Sequence, residues 1–226
     1  MNLDKEYNNI LETLVSIFTV NDGDVKVLLM RKKTEPYKGY WVLPGDYVKN
    51  NETLEDNIVD TIYKKLGISS IYLEQANSYS SLERNPEGRV VAFNFLALVD
   101  SVSIKLKRVE REDYETNWFS IDSIPKMGYD HEIILDKAIE LLKNKLSDFN
   151  ALKYLFPSDF TLPELQGAYE QLMKVKIDRR NFRKKILNSS LIEPTGDKND
   201  GFMGRPANLY RFKTVNLENS LIEQTA

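Results

Sequence analysis

The sequence predicts an α/β domain followed by a small C-terminal winged helix-turn-helix domain, and three observations carry that expectation. Strand-like runs alternate with two amphipathic helices up to about residue 146. Beyond residue 150 the order becomes three short helical segments and then two strand-like runs around a Gly-rich stretch. Charge changes with the pattern: residues 1–150 hold 19 Lys and Arg against 25 Asp and Glu, whereas residues 151–213 hold 12 against 7. We therefore divide the 226 residues into 1–148 and 149–226. A basic part is where a polyanionic partner would bind, although the same charges also serve to solvate a surface.

Each element has a local cause. Residues 14–20 and 25–30 are β-rich and flank Asn21-Asp22-Gly23-Asp24, a turn composition, so they predict a hairpin. An aromatic loop follows, containing Tyr37, Tyr40 and Trp41, whose rings are expected to pack rather than to stack on a ligand. Thr53 and Asp56 form a capping box, and Leu54, Ile58, Ile62 and Leu66 recur at helical spacing until Gly67 closes the helix. Strands are expected at 71–79 and 90–99, separated by a turn at 83–89 that offers Arg84 and Arg89 to an anion. Trp118 and Phe119 should begin a short strand, and residues 130–146 a helix with Ile134, Ala138, Leu141 and Leu142 on one stripe.

Residues 147–150 form a polar break. A short helix at 151–156 is stopped by Pro157; Thr161, with Glu164 three residues on and Pro163 in the first turn, starts a second helix reaching about Met173. Asp178 caps a third at 179–188, and strands at 191–193 and 209–212 flank a wing loop over 195–208, to which Gly201, Gly204 and Pro206 are suited. In the third helix Phe182 and Ile186 share a face with the stem of Arg179, so Arg180, Asn181 and Lys184 project from the other side. Arg and Asn near a helix N-terminus suit the major groove, where they pair bidentately with guanine and adenine. Arg183, Lys185, Lys198 and Arg205 suit phosphates.

Composition excludes several chemistries. The absence of cysteine removes disulfides, thiolate catalysis and Cys-ligated zinc. There is no apolar run of about 18 residues and no basic-then-apolar start, so a soluble, cytoplasmic chain is expected, with no metal or cofactor.

The stretch 41–68, WVLPGDYVKNNETLEDNIVDTIYKKLGI, resembles the Nudix box, Gly-x5-Glu-x7-Arg-Glu-U-x-Glu-Glu-x-Gly-U with U apolar. Aligning Glu52 with the first Glu places Asp46 at the Gly, Asp60 at the Arg, Thr61 at the next Glu, and Lys64 and Lys65 at the paired Glu. Gly67 and Ile68 match. The box implies Mg²⁺-dependent diphosphate hydrolysis, but the departures lead us to expect no enzyme here, because an ammonium cannot ligate a metal. Glu52, Glu55 and Asp56 remain as carboxylates at the start of the helix. Lys64 and Lys65 are either solvated surface or an attraction for a phosphate or carboxylate.

A failed box followed by this winged helix is similar to the Nudix-related transcriptional regulators, which include repressors sensing ADP-ribose and members sensing sugars such as arabinose. Residues 84–91, 129–135 and 160–170 also resemble that family. The resemblance implies a homodimer on a palindromic operator, controlled by a nucleotide-sugar, sugar or sugar phosphate. Candidate ligand contacts are Lys33, Tyr47, Lys64, Arg84, Arg89 and His131; the last, the only histidine, also suits a structural hydrogen bond. The competing functions are a Nudix hydrolase of a nucleoside diphosphate derivative and a protein-interaction adaptor.

Overall fold

A computed structural model describes residues 9–68, 70–99, 113–146, 152–156, 159–199, 206–213 and 221–223. The expected hairpin is β1 (Ile10–Asn21) and β2 (Asp24–Lys32), closed by the Asn21/Asp24 pair. Next come β3 (Trp41–Val42), β4 (Gly45–Tyr47) and α1 (Leu54–Thr61), whose capping box is formed by Thr53 and Asp56. The helix does not run regularly to Leu66: Ile62–Leu66 is a π turn, closed by Gly67 at φ +71°. Strands β5 (Ser70–Tyr79), β6 (Val90–Leu98) and β7 (Tyr114–Ser120) and helix α2 (His131–Leu146) complete the first domain.

Strand β7 corrects the expectation for Trp118 and Phe119, which lie near its end rather than at its start. Its first half, Tyr114-Glu115-Thr116, reads as polar but is buried, because all seven residues pair antiparallel with β2. The two-residue strands and the three-residue β4 carry too few residues for a period-2 signal. Strand β11 (Leu221–Glu223), which adds to β5, was likewise not expected.

The sheet runs β11-β5-β6-β1-β2-β3, with β4 also on β1 and β7 also on β2; β1 and β6 are parallel. Strand alternation sorts its core into two layers. Val15, Ile17, Leu28, Phe95 and Ala97 meet Ile58 and Ile62 of α1 and its π turn. Leu14, Phe18, Leu96 and Leu98 face α2 through Ile134, Leu135, Ala138 and Leu142. Each of the fully buried Val, Leu, Ile and Phe side chains contributes about 1.5–3 kcal/mol relative to exposure.

One feature of the topology makes a site. β2 pairs with β1 only over Phe18 to Asn21; nearer its start, β1 pairs instead with β4 at Glu12, Thr13 and Leu14. The two partners diverge, and a wedge opens between them. β4 approaches so closely that a Cβ at Gly45 would lie 2.4 Å from the Thr13 carbonyl oxygen, so only glycine fits there. Gly45, rather than the aligned Asp46, thus occupies the position that demands glycine.

The C-terminal part comprises α3 (Leu152–Leu155), β8 (Phe160–Thr161), α4 (Leu162–Met173), α5 (Arg179–Asn188), β9 (Ile192–Lys198) and β10 (Asn208–Phe212). β9 extends into the stretch expected to be loop, and β8 adds a third strand beside β10. The break at 147–150, Pro157, Gly201, Gly204 and Arg205 lie outside the described residues.

The two parts share one continuous core, which runs from Val25, Val27 and Leu29 of β2 to Leu165, Ala168 and Leu172 of α4. The tip of the β1–β2 hairpin lies on α4, where a Cβ on Gly167 would meet the Gly23 carbonyl oxygen at 3.0 Å. Beside it, the Gln171 amide accepts from the Val25 N–H at 2.5 Å and donates to Asp24, Ser120 and Asp122. Lys174 pairs with Asp122.

Candidate ligand pocket and nucleic-acid interface

The wedge between β2 and β4 is a pocket of about 190 Å³. Met30 and Lys32, which share a face of β2, and Thr34 just past its end line it opposite Gly45, Asp46 and Tyr47. Lys65, Asp113, Tyr129 and His131 contribute from other elements. Of the candidates read from sequence, the pocket gathers Tyr47 and His131. The alternation that puts Lys32 in the wall leaves Lys33 out of it.

His131 is 3% exposed, and its Nδ1 accepts the Leu43 N–H at 3.0 Å. Burial first, then the nearby Arg84 and Lys32, push its pKa down to about 3, so the imidazole is neutral. It joins α2 to the loop before β4. Tyr129, stacked on it, has its hydroxyl pushed up to about 12, mainly by burial, and accepts from Lys32 Nζ at 2.7 Å.

Arg84 is placed behind this wall. Its side chain is 1% exposed; Nε and Nη2 donate to Asp130 at 3.1 and 3.0 Å, and Nη1 to Glu12 at 2.9 Å. Glu12 itself lines the pocket, and burial raises its pKa against the opposing pull of Arg84. Arg84 therefore holds a wall residue to the start of α2. Arg89 donates to the Ser80 and Ser81 carbonyls, on the turn rather than in the pocket.

The two box lysines diverge. Lys64 pairs with Asp60 at 2.5 Å on the exposed side of the helix. Lys65 reaches the pocket, donating to the Gly45 carbonyl at 2.8 Å with the Asp46 carboxylate also at 2.8 Å. Glu52 is bound to the Lys49 N–H and to Asn57, which fixes it in the loop before the helix. Among the described residues no group of three or more His, Cys, Asp or Glu is placed to hold a metal.

Sequence reasoning missed Glu12, Lys32, Asp113 and Tyr129. Lys32 was within reach, since it shares the strand face of Met30; Asp113 comes from a segment with no periodic signal.

In the C-terminal part, Asp178 caps α5 by accepting from the Arg180 and Asn181 N–H groups, and Phe182 and Ile186 anchor it. The turn from α4 to α5 is held by Glu170, which accepts from Gln166, the Ile177 N–H and Lys176; these contacts pull its pKa down to about 2. Arg180, Asn181, Lys184 and Lys185 are exposed. Arg179, Arg183 and Lys198 line a basic cleft of about 620 Å³ between α4, α5 and the β9–β10 hairpin, where Pro163, Gln166 and Tyr210 also lie. No helix among the described residues is long and apolar enough to cross a membrane.

Comparison with known proteins gives matches over both parts. Residues 12–139 match the NUDIX domain and residues 153–212 the NrtR DNA-binding winged helix domain. The chain is 32% identical, over 88% of its length and 80% of the relative's, to the ADPR responsive transcriptional repressor NtrR of Acinetobacter baylyi. It is 31% identical over 58% of its length, and 76% of the relative's, to the ADP-ribose pyrophosphatase of Methanocaldococcus jannaschii. Among solved structures, Shewanella oneidensis NrtR complexed with a 27mer DNA superposes with a TM-score of 0.73 at 28% identity, covering 90% of this chain and 93% of that one.

Proposed function

From the premise that this chain belongs to the Nudix family and carries an NrtR-type DNA-binding winged helix, we propose that it is a transcriptional repressor controlled by ADP-ribose or a related nucleotide-sugar. The observation that carries the reading is α5. Five cations and an Asn at position 181 stand on ten residues, and the burial of Phe182 and Ile186 turns Arg180, Asn181 and Lys184 to solvent. That face suits base edges, while Arg179, Arg183 and Lys198 in the cleft suit phosphates. A homodimer on a palindromic operator in the cytoplasm completes the proposal.

The effector belongs in the wedge pocket. The β1–β2 hairpin walls that pocket at one end and rests on α4 at the other, so a ligand that moves the strands displaces the winged helix. Control requires the ligand to bind the free and DNA-bound states with different affinity.

Hydrolysis is the second reading, favoured by the similarity to an ADP-ribose pyrophosphatase. The residues present do not fit its metal: the two positions aligned with paired carboxylates are lysines, each engaged with an aspartate. The chain is therefore read as a sensor without turnover. Incubation with ADP-ribose and Mg²⁺ should release no AMP; turnover above about 0.1 per second, against an enzyme median near 10, overturns this. For the DNA side, Arg180→Ala with Lys184→Ala should abolish operator binding while the circular dichroism spectrum is kept, and unchanged affinity refutes the interface.

A further inference from the structure

We propose that Lys65 is a tethered cation standing where a divalent metal would otherwise sit, so that the pocket binds a diphosphate-bearing ligand without metal. The inference rests on the nucleotide-sugar reading above and deepens it.

The geometry is that of a cation in an oxygen cage. The ammonium has the backbone carbonyl of Gly45 and the carboxylate of Asp46 both at 2.8 Å, and lies on the pocket wall with its side chain 26% exposed. A carbonyl and a carboxylate are the hard oxygens that Mg²⁺ selects. A dication bound to both would lie against the ammonium, and the two positive charges repel. One ammonium N–H is taken by the Gly45 carbonyl and the Asp46 carboxylate balances the charge as an ion pair, so donor capacity remains for a ligand oxygen. The carbonyl partner is fixed, because Gly45 is pressed against β1 with no room for a side chain. The π turn belongs to the same device: it contains both box lysines, and from it Lys64 turns out to Asp60 while Lys65 turns in.

The test uses the full chain and two probes. Calorimetric titration with ADP-ribose in EDTA and in excess Mg²⁺ should give the same affinity for the unsubstituted protein. Lys65→Gln, which can still donate to Gly45 but lacks the charge, should bind at least about tenfold more weakly in both. Lys65→Glu should bind only when Mg²⁺ is present. A gain of about tenfold on adding Mg²⁺ to the unsubstituted protein, or an unaltered affinity in Lys65→Gln, overturns the proposal. The second probe is Mn²⁺ alone, followed by electron paramagnetic resonance, and does not depend on the ligand's identity. The unsubstituted protein and Lys65→Gln should show no pocket site, and Lys65→Glu should gain one. Failure of Lys65→Glu to gain it, with the near-ultraviolet spectrum kept, shows that Lys65 does not stand in a metal's place. Absence of ADP-ribose binding in all buffers together with the Mn²⁺ gain refutes the ligand class and leaves the cation replacement standing.

Discussion

The single histidine gives the cleanest test of the pocket's architecture, because its resonance needs no assignment. His131 is buried as the neutral acceptor of the Leu43 N–H, with its pKa pushed down to about 3. In the unfolded chain the imidazole returns to about 6.5. Below that pH the unfolded state binds a proton that the folded state refuses, so stability is complete above about pH 6.5 and falls as pH drops toward 3. The slope is about 1.4 kcal/mol per pH unit, so lowering pH from 7.5 to 5.0 should cost about 2 kcal/mol from this residue alone. Urea unfolding of the native chain and of His131→Asn at the two pH values isolates it. Asn keeps an oxygen acceptor near the Nδ1 position without titrating, and the carboxylates contribute alike to both proteins. The difference between the two pH-dependent losses should be about 2 kcal/mol. Equal losses, or an imidazole proton signal in the folded protein that titrates near 6.5, would refute the reasoning.

Other substitutions probe the remaining joints. Arg84→Met should leave the half-buried Glu12 and Asp130 without their shared cation and cost up to about 3–5 kcal/mol, read as a fall in the urea midpoint. Gly167→Val should cost about 1–3 kcal/mol by overpacking against Gly23, although it removes a helix-interior glycine; a stabilised protein would show that the hairpin does not rest on α4. Arg180→Ala alone should weaken binding to its cognate site by about 1–3 kcal/mol and relax preference at one base pair, whereas Lys198→Ala should weaken binding to all sequences and flatten the salt dependence. Fluorescence anisotropy on specific and scrambled duplexes separates the two behaviours.

The elements with local causes were legible in the sequence. Thr53 with Asp56, Thr161 with Glu164, and Asp178 each announced a helix start, and each forms the cap expected of it. The hairpin turn at Asn21 to Asp24 was equally plain, but its contact with Gly167 was not, since sequence patterns do not reveal which turn lies on which helix. The pocket shows the same limit. Its wall depends on β1 exchanging partners from β2 to β4, a tertiary event, so Glu12 and Asp113 carried no signal. Arg84 reads as a ligand contact from its type and its turn, and the structure places it, itself buried, between two half-buried carboxylates. Lys64 and Lys65 read as one feature in the sequence, and the structure turns them to different partners, Lys64 to Asp60 and Lys65 to Gly45 and Asp46.

Binding of an operator duplex, followed as ADP-ribose is added, tests the central claim most directly. With a fluorescent duplex carrying an operator selected by binding to this chain, ADP-ribose should lower the affinity of the unsubstituted chain at least about tenfold, a coupling of about 1.4 kcal/mol. The same factor should appear as weaker ADP-ribose binding to the DNA-bound protein. An operator affinity that stays constant while ADP-ribose saturates the pocket would contradict the account.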